Sequence, residues 1–240
     1  VAVMAHAINQ VCAAIPDAWT TRFAAEELTP DQTQTPQHWY LQPYLLRGAG
    51  TIAYAEPEAG KSYWLYVLAQ TLRYGVEAHG PWSVSSPCRV LVINLERSEE
   101  SVKRRVWGVN RALGLPLGSP MSVLTARGQP LTAIASSLLH RARKDRPDVV
   151  FLDSLSRSGM GPLIEDQTAM STVDLLNRVC DTWFALGHMP RGDKSHLFGS
   201  VHFDAGADLM VEVKRQATDD GFGQLLKVVK ANDAVRPKFP

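Results

Sequence analysis

Cysteine is scarce in this 240-residue chain: Cys12, Cys88 and Cys180 stand far apart, with no C-x-x-C pair. That scarcity argues against a disulfide framework and a cysteine zinc site, and a reducing cytoplasm is the expected location. A dominant charge is lacking too, since 25 Lys and Arg face 24 Asp and Glu for a formal net charge of +1. So balanced a chain has no global basic footprint, and any nucleic-acid binding has to come from local patches or from the channel of an oligomer. No run approaches the roughly eighteen continuous apolar residues that span a bilayer. The N-terminus also lacks the charged-then-apolar layout of a signal peptide, so no membrane partner is expected. His79, His140, His196 and His202 show no metal-ligand spacing.

Residues 1–37 carry a weak helical pattern that ends in a polar, Pro-punctuated stretch from Thr29 to Pro36, which reads as an N-terminal helical arm or linker. Residues 38–240 read as one α/β domain. Strands are expected near 51–55, 89–95, 122–124, 149–152 and 183–186, with helices near 61–73, 98–113, 131–143 and 167–181 between them. Two late strands are expected near 209–213 and 225–229. Strand–helix alternation with continuous apolar strands predicts a mostly parallel central sheet flanked by helices, the late pair adding antiparallel edge strands.

The densest chemical signal is Ala55-Glu56-Pro57-Glu58-Ala59-Gly60-Lys61-Ser62, set between the apolar run Thr51–Tyr54 and a helical pattern that opens with Tyr63. It has the layout of a phosphate-binding loop. Backbone N–H groups and the positive end of the following helix cradle phosphates, Lys61 reaches the β- and γ-phosphates, and Ser62 offers its hydroxyl to Mg²⁺. Glycine usually opens this motif and Ala55 stands there, so the loop requires that residue to keep a conformation open to alanine. The cofactors expected are ATP and Mg²⁺, with residues 56–63 as the binding loop.

Two carboxylates follow apolar strands. Asp153 ends Val149-Val150-Phe151-Leu152, at the strand end where ligands of parallel sheets gather, and there it can approach the Mg²⁺ on Ser62. Glu96 follows Val90–Leu95, where a carboxylate can orient and deprotonate an attacking water. The cluster Lys103-Arg104-Arg105 reads as a solvated helix face paired with Glu99 and Glu100.

In this order, the residues resemble the RecA-like P-loop ATPases, specifically the group of plasmid replicative helicases of the RepA type. The resemblance covers about residues 39–235. Trp39 with Leu46-Arg47-Gly48 matches the family's lead-in to the loop, and Glu96 matches its catalytic glutamate. Arg105 matches an arginine nine positions further on. Of the family's γ-phosphate-sensing histidine pair only His188 is present, in Gly187-His188-Met189. Gly199-Ser200 matches the start of a DNA-side loop and Lys230-Ala231-Asn232 the closing strand.

The resemblance implies a ring or filament with nucleotide at each subunit boundary, and the homo-oligomer expected is a hexameric ring. One subunit supplies Lys61, Ser62, Glu96, Asp153 and His188, and its neighbour a cation for the γ-phosphate. Candidates for that cation are Arg215, Lys214, Lys230, Arg105 and Arg191. The loops 156–161 and 189–196 bear glycines and cations suited to a phosphate backbone. The function implied is an ATP-hydrolysing motor on single-stranded DNA, a replicative helicase-type ATPase. A recombination or repair ATPase and an ATP-switched DNA-binding assembly module are the alternatives.

Overall fold

The computed structural model describes residues 38–76, 83–84, 86–159, 161–189, 197–199, 201–219 and 221–234, together with Met4 and Glu27. Two compact units divide the chain, Val1–Pro36 and Gln37–Pro240. The expected helical arm over 1–37 lies outside the described residues, and the second unit carries the α/β domain.

The centre of that domain is built by four strands whose residues are almost all apolar and buried. They are β3 (Gly50–Ala55), β5 (Val90–Asn94), β7 (Val149–Asp153) and β8 (Trp183–His188). Such runs need cover on both faces, which a parallel sheet with crossover helices provides. The observed order is β10-β9-β3-β8-β7-β5-β6, with β6 at Val123–Thr125, β9 at Leu209–Thr218 and β10 at Gly221–Ala231. All neighbours run parallel except β9 and β10, which pair antiparallel.

Alternation along the strands sends side chains to two cores. Ala53, Val92, Phe151 and Phe184 face α1 (Lys61–Tyr74) and α2 (Glu99–Ala112), where Trp64, Leu65, Leu68 and Val102 meet them. Ile52, Ile93, Val150 and Ala185 face the other way. There α3 (Leu131–Asp145), α4 (Asp166–Val179) and the short α5 (Val201–Gly206) contribute Leu138, Leu176 and Phe203. Among the described residues, no helix is long and apolar enough to cross a membrane.

Two features depart from the sequence reading. A second, three-stranded antiparallel sheet joins β1 (Trp39–Gln42), β2 (Leu45–Leu46) and β4 (Ser83–Val84). The turn between β1 and β2 sets the Tyr44 ring edge-on to Trp64 with centroids 5.4 Å apart, so this sheet packs into the same core as α1. The late strands are also about twice the expected length. Leu209–Val213 is buried and the rest of β9 is exposed, so a two-stranded ribbon runs past the core without an apolar signature.

The strand register aligns the ends that matter. Ala55 of β3 pairs with His188 of β8, and Asn94 of β5 pairs with Asp153 of β7. The loop after β3, the histidine and both carboxylate-bearing ends therefore share one edge of the sheet. Because β8 lies between β3 and β7, His188 sits between the loop and the carboxylates.

Candidate nucleotide site

The loop after β3 turns on Glu58 and Gly60, whose φ values of 64° and 82° lie in the left-handed region. Gly60 precedes α1 directly, and its missing Cβ makes that conformation inexpensive. Ala55, where the motif prefers glycine, stays within β3 in pairing with His188, a backbone that alanine adopts freely. The departure is thereby accommodated.

The first turn of α1 has neither a side-chain cap nor an acidic residue. The contrast with α2 is direct, since Ser98 caps that helix by accepting from Ser101 N–H, and Glu99 and Glu100 occupy its first turn. No acidic side chain of α1 itself occupies its positive end, whose N–H groups fit a phosphate ligand.

Lys61 is almost fully buried, and its Nζ donates to the carbonyls of Ala55 at 3.1 Å and Glu56 at 3.0 Å. It lies 3.3 Å from His188 Nδ1. Burial pulls the Lys61 ammonium down to about 8, against the opposing fields of Glu96 and Asp153. Burial first, then the Lys61 charge, lowers His188 below its ordinary value. A neutral His188 therefore accepts from the ammonium through Nδ1 and keeps its own proton on Nε2.

Asp153 is 1% exposed. Ser62 Oγ donates to its Oδ1 at 3.4 Å and the Tyr66 hydroxyl to its Oδ2 at 3.4 Å. Burial, followed by the Glu96 charge, raises this carboxyl to about 6. A hydroxyl and a carboxylate facing each other form a hard oxygen pair suited to Mg²⁺, which keeps waters and substrate phosphates as its other ligands.

Glu96 rides on a turn clamped by Asn94, which is fully buried. Asn94 Oδ1 accepts from Arg97 N–H at 2.9 Å, and its Nδ2 donates to the Arg97 carbonyl at 2.8 Å. The Glu96 side chain is 23% exposed. Its Oε1 meets Arg97 Nη2 at 3.5 Å, and its Oε2 accepts from Ser154 Oγ at 3.5 Å.

Lys61, Ser62, Glu96, Asp153 and His188 line one cavity of 270 Å³. Tyr63 and Arg105 also line it, the Arg105 guanidinium 4.6 Å above the Tyr63 ring. The solvated-face reading of the 103–105 cluster therefore describes Lys103, which pairs with Glu99 at 2.8 Å, and not Arg105.

The binding loop is shared between two cavities. Glu58 faces both, whereas Glu56, Pro57 and Ala59 line a second one of 520 Å³ with Met189, Val213, Lys214 and Arg215. Lys214 and Arg215 are thus beside the loop of their own chain, with Lys214 paired to Glu212 at 3.1 Å. Lys230 is elsewhere: its ammonium donates to the carbonyls of Asp204 and Ala207 and ties β10 to the end of α5. Arg191, Met160, Ser200 and the stretch 190–196 lie outside the described residues.

Three positioning residues escaped the sequence reading. Asn94 and Ser154 hold Glu96, and Gln224 Nε2 on β10 donates to the Ala59 carbonyl of the loop. An asparagine inside the apolar run Val90–Leu95 was a signal that could have exposed Asn94.

A family model described as an AAA domain matches residues 20–183, more than half of the chain. No curated protein matches it.

Proposed function

Because the chain belongs to the AAA-domain family of P-loop ATPases, we propose that it is a helicase-type motor, hydrolysing ATP to move along or remodel single-stranded DNA. The reading takes the working form as a homo-oligomeric ring, a hexamer, in a plasmid, phage or other mobile element. The observation that carries it is Glu96 on the wall of the cavity that also holds Lys61, Ser62 and Asp153. A site built only to hold nucleotide has no need of a base there.

The chemistry follows from the residues in place. The N–H groups opening α1 and the Lys61 ammonium hold the β- and γ-phosphates. Glu96 accepts a proton from a water, whose oxygen bonds to the γ-phosphorus as the bond to the β–γ bridging oxygen breaks, leaving ADP and inorganic phosphate. His188, neutral and beside Lys61, offers Nε2–H toward the same region. Ser62 and Asp153 would hold Mg²⁺, which neutralises charge developing on the phosphate oxygens.

Steady-state ATP hydrolysis with and without single-stranded DNA tests the reading in wild type, Lys61→Ala and Glu96→Gln. Stimulation by DNA that both substitutions abolish is the expected result. Tight ATP binding without turnover would instead support the ATP-switched assembly module.

A further inference from the structure

Beyond Glu96 the sheet edge opens into another cavity, of 410 Å³, whose wall includes Glu96, Arg127, Gln129, Pro130, Ser156 and Arg157. Two loops make it, one between β6 and α3 and the other after β7. They are fastened together: Leu131 N–H donates to the Ser158 carbonyl at 2.6 Å, and a Cβ on Gly159 would come within 2.5 Å of Pro130 Cβ. The wall is therefore preorganised.

Its charge is net cationic, with Arg127 and Arg157 set against Glu96. Arg127 and Arg157 are exposed, and neither has a carboxylate partner among the described residues. The first turn of α3 adds no acidic residue to offset them. Two unpaired guanidiniums flanking one cavity favour an anion with planar, bidentate acceptors such as a phosphodiester.

A chain of hydroxyls links this cavity to the catalytic one. Ser156 Oγ lies 2.9 Å from Ser154 Oγ, and Ser154 Oγ donates to Glu96 Oε2 over a long 3.5 Å. We infer that the Arg127–Arg157 cavity seats a phosphodiester of the single-stranded nucleic acid and that its occupancy frees Glu96 through Ser156 and Ser154. This rests on the motor reading above.

The proton positions make the coupling explicit. With the cavity empty, Ser156 donates to Ser154 and Ser154 donates to Glu96. A bound phosphodiester is a charged acceptor, so Ser156 turns its O–H to it and leaves its own lone pairs open. Ser154 then donates to Ser156 at 2.9 Å, a better geometry than the 3.5 Å contact it leaves. Glu96 Oε2 is released to accept from water. Ser154 and Ser156 are positioning residues.

The test measures binding of labelled oligo(dT) by anisotropy and ATP turnover with and without it, in wild type, Arg127→Ala, Arg127→Lys and Ser156→Ala. Arg127→Ala is expected to weaken binding about fivefold or more and to lower the log–log salt slope by about one, with Arg127→Lys recovering part of the affinity. Ser156→Ala should bind oligo(dT) within about twofold of wild type yet lose most of the stimulation, which a merely structural residue would not do. Equal binding by wild type and Arg127→Ala overturns the site, and undiminished stimulation in Ser156→Ala overturns the linkage. Stimulation of wild type by inorganic phosphate to the same extent overturns the nucleic acid as occupant. A wild type that hydrolyses ATP but binds no oligo(dT) overturns the motor reading and this inference with it.

Discussion

Lys61 Nζ and His188 Nδ1 lie 3.3 Å apart, joined across the ends of two adjacent parallel strands whose register puts Ala55 opposite His188. The ammonium is held by the carbonyls of Ala55 and Glu56 and one neutral ring nitrogen, with no carboxylate in contact among the described residues. Its charge is incompletely compensated until an anion arrives. That is the physical reason burial lowers its pKa so far.

The buried ammonium makes nucleotide binding depend on pH. Lys61 is charged below its folded value of about 8, and a phosphate ligand restores the charged form. Above pH 8 binding must take up a proton, so ATP affinity falls by up to about tenfold per pH unit toward pH 10. Titration with a fluorescent nucleotide between pH 7 and pH 10 reads this directly. A flat profile would contradict the buried placement of Lys61.

Asp153 is expected to show a trade of stability for function. Its folded value, about 6, lies above the ordinary 3.8, so the native state binds the proton more tightly and loses stability as pH rises from about 4 to about 6. At pH 7 the ionised, buried carboxylate stands at a penalty of about 3 kcal/mol at most. Asp153→Asn should therefore raise the melting temperature at pH 7, lose that advantage toward pH 4, and abolish Mg²⁺-dependent hydrolysis. Melting curves at the two pH values with parallel turnover assays check all three.

Much of this arrangement is legible in the sequence. Strands β3, β5, β7 and β8 announce themselves as largely apolar runs, and each ends in or just before the residues that make the edge chemical: the loop at 56–62, Glu96, Asp153 and His188. The sheet β2-β1-β4 is not legible, because pieces of two to four residues have no usable period. The outer half of β9 is hidden for a different reason, since Lys214, Arg215 and Gln216 form a ribbon with little to bury. In the site, Ser154 and Gln224 are invisible because their roles depend on loop positions far apart in sequence. The assignment of Arg105 to an exposed face misses that its guanidinium stacks over Tyr63 at the cavity mouth.

Asn94 offers a separate test of how Glu96 is held. Removing its amide strips two hydrogen bonds from the turn at Arg97, at a cost of about 2 kcal/mol in stability. The larger effect should be kinetic. Asn94→Ala lets the turn carrying Glu96 wander, so kcat is expected to drop more than about tenfold while KM for ATP changes little. A loss confined to KM would mean that Asn94 supports nucleotide binding and not the base.

Far from the cavity, Gly50 tests whether the register of β3 and β8 is set by packing. A Cβ there would fall 2.2 Å from Cζ2 and 2.4 Å from Cε2 of Trp183. The ring cannot retreat easily, because it is 1% exposed and its Nε1 donates to Asn177 Oδ1 at 2.7 Å. Nor can the strand, since Gly50 N–H donates to Asp208 Oδ2 at 2.9 Å. Gly50→Ala should cost about 3 kcal/mol, at the upper end for an overpacked core. Pairing it with Trp183→Phe makes room for the methyl, so the double variant should be more stable than the sum of the two single losses by about 1 kcal/mol or more. Denaturant melts of the four proteins measure the coupling. Strict additivity would show that Trp183 does not fix β3 against β8, and the closeness of Lys61 to His188 would then need another cause.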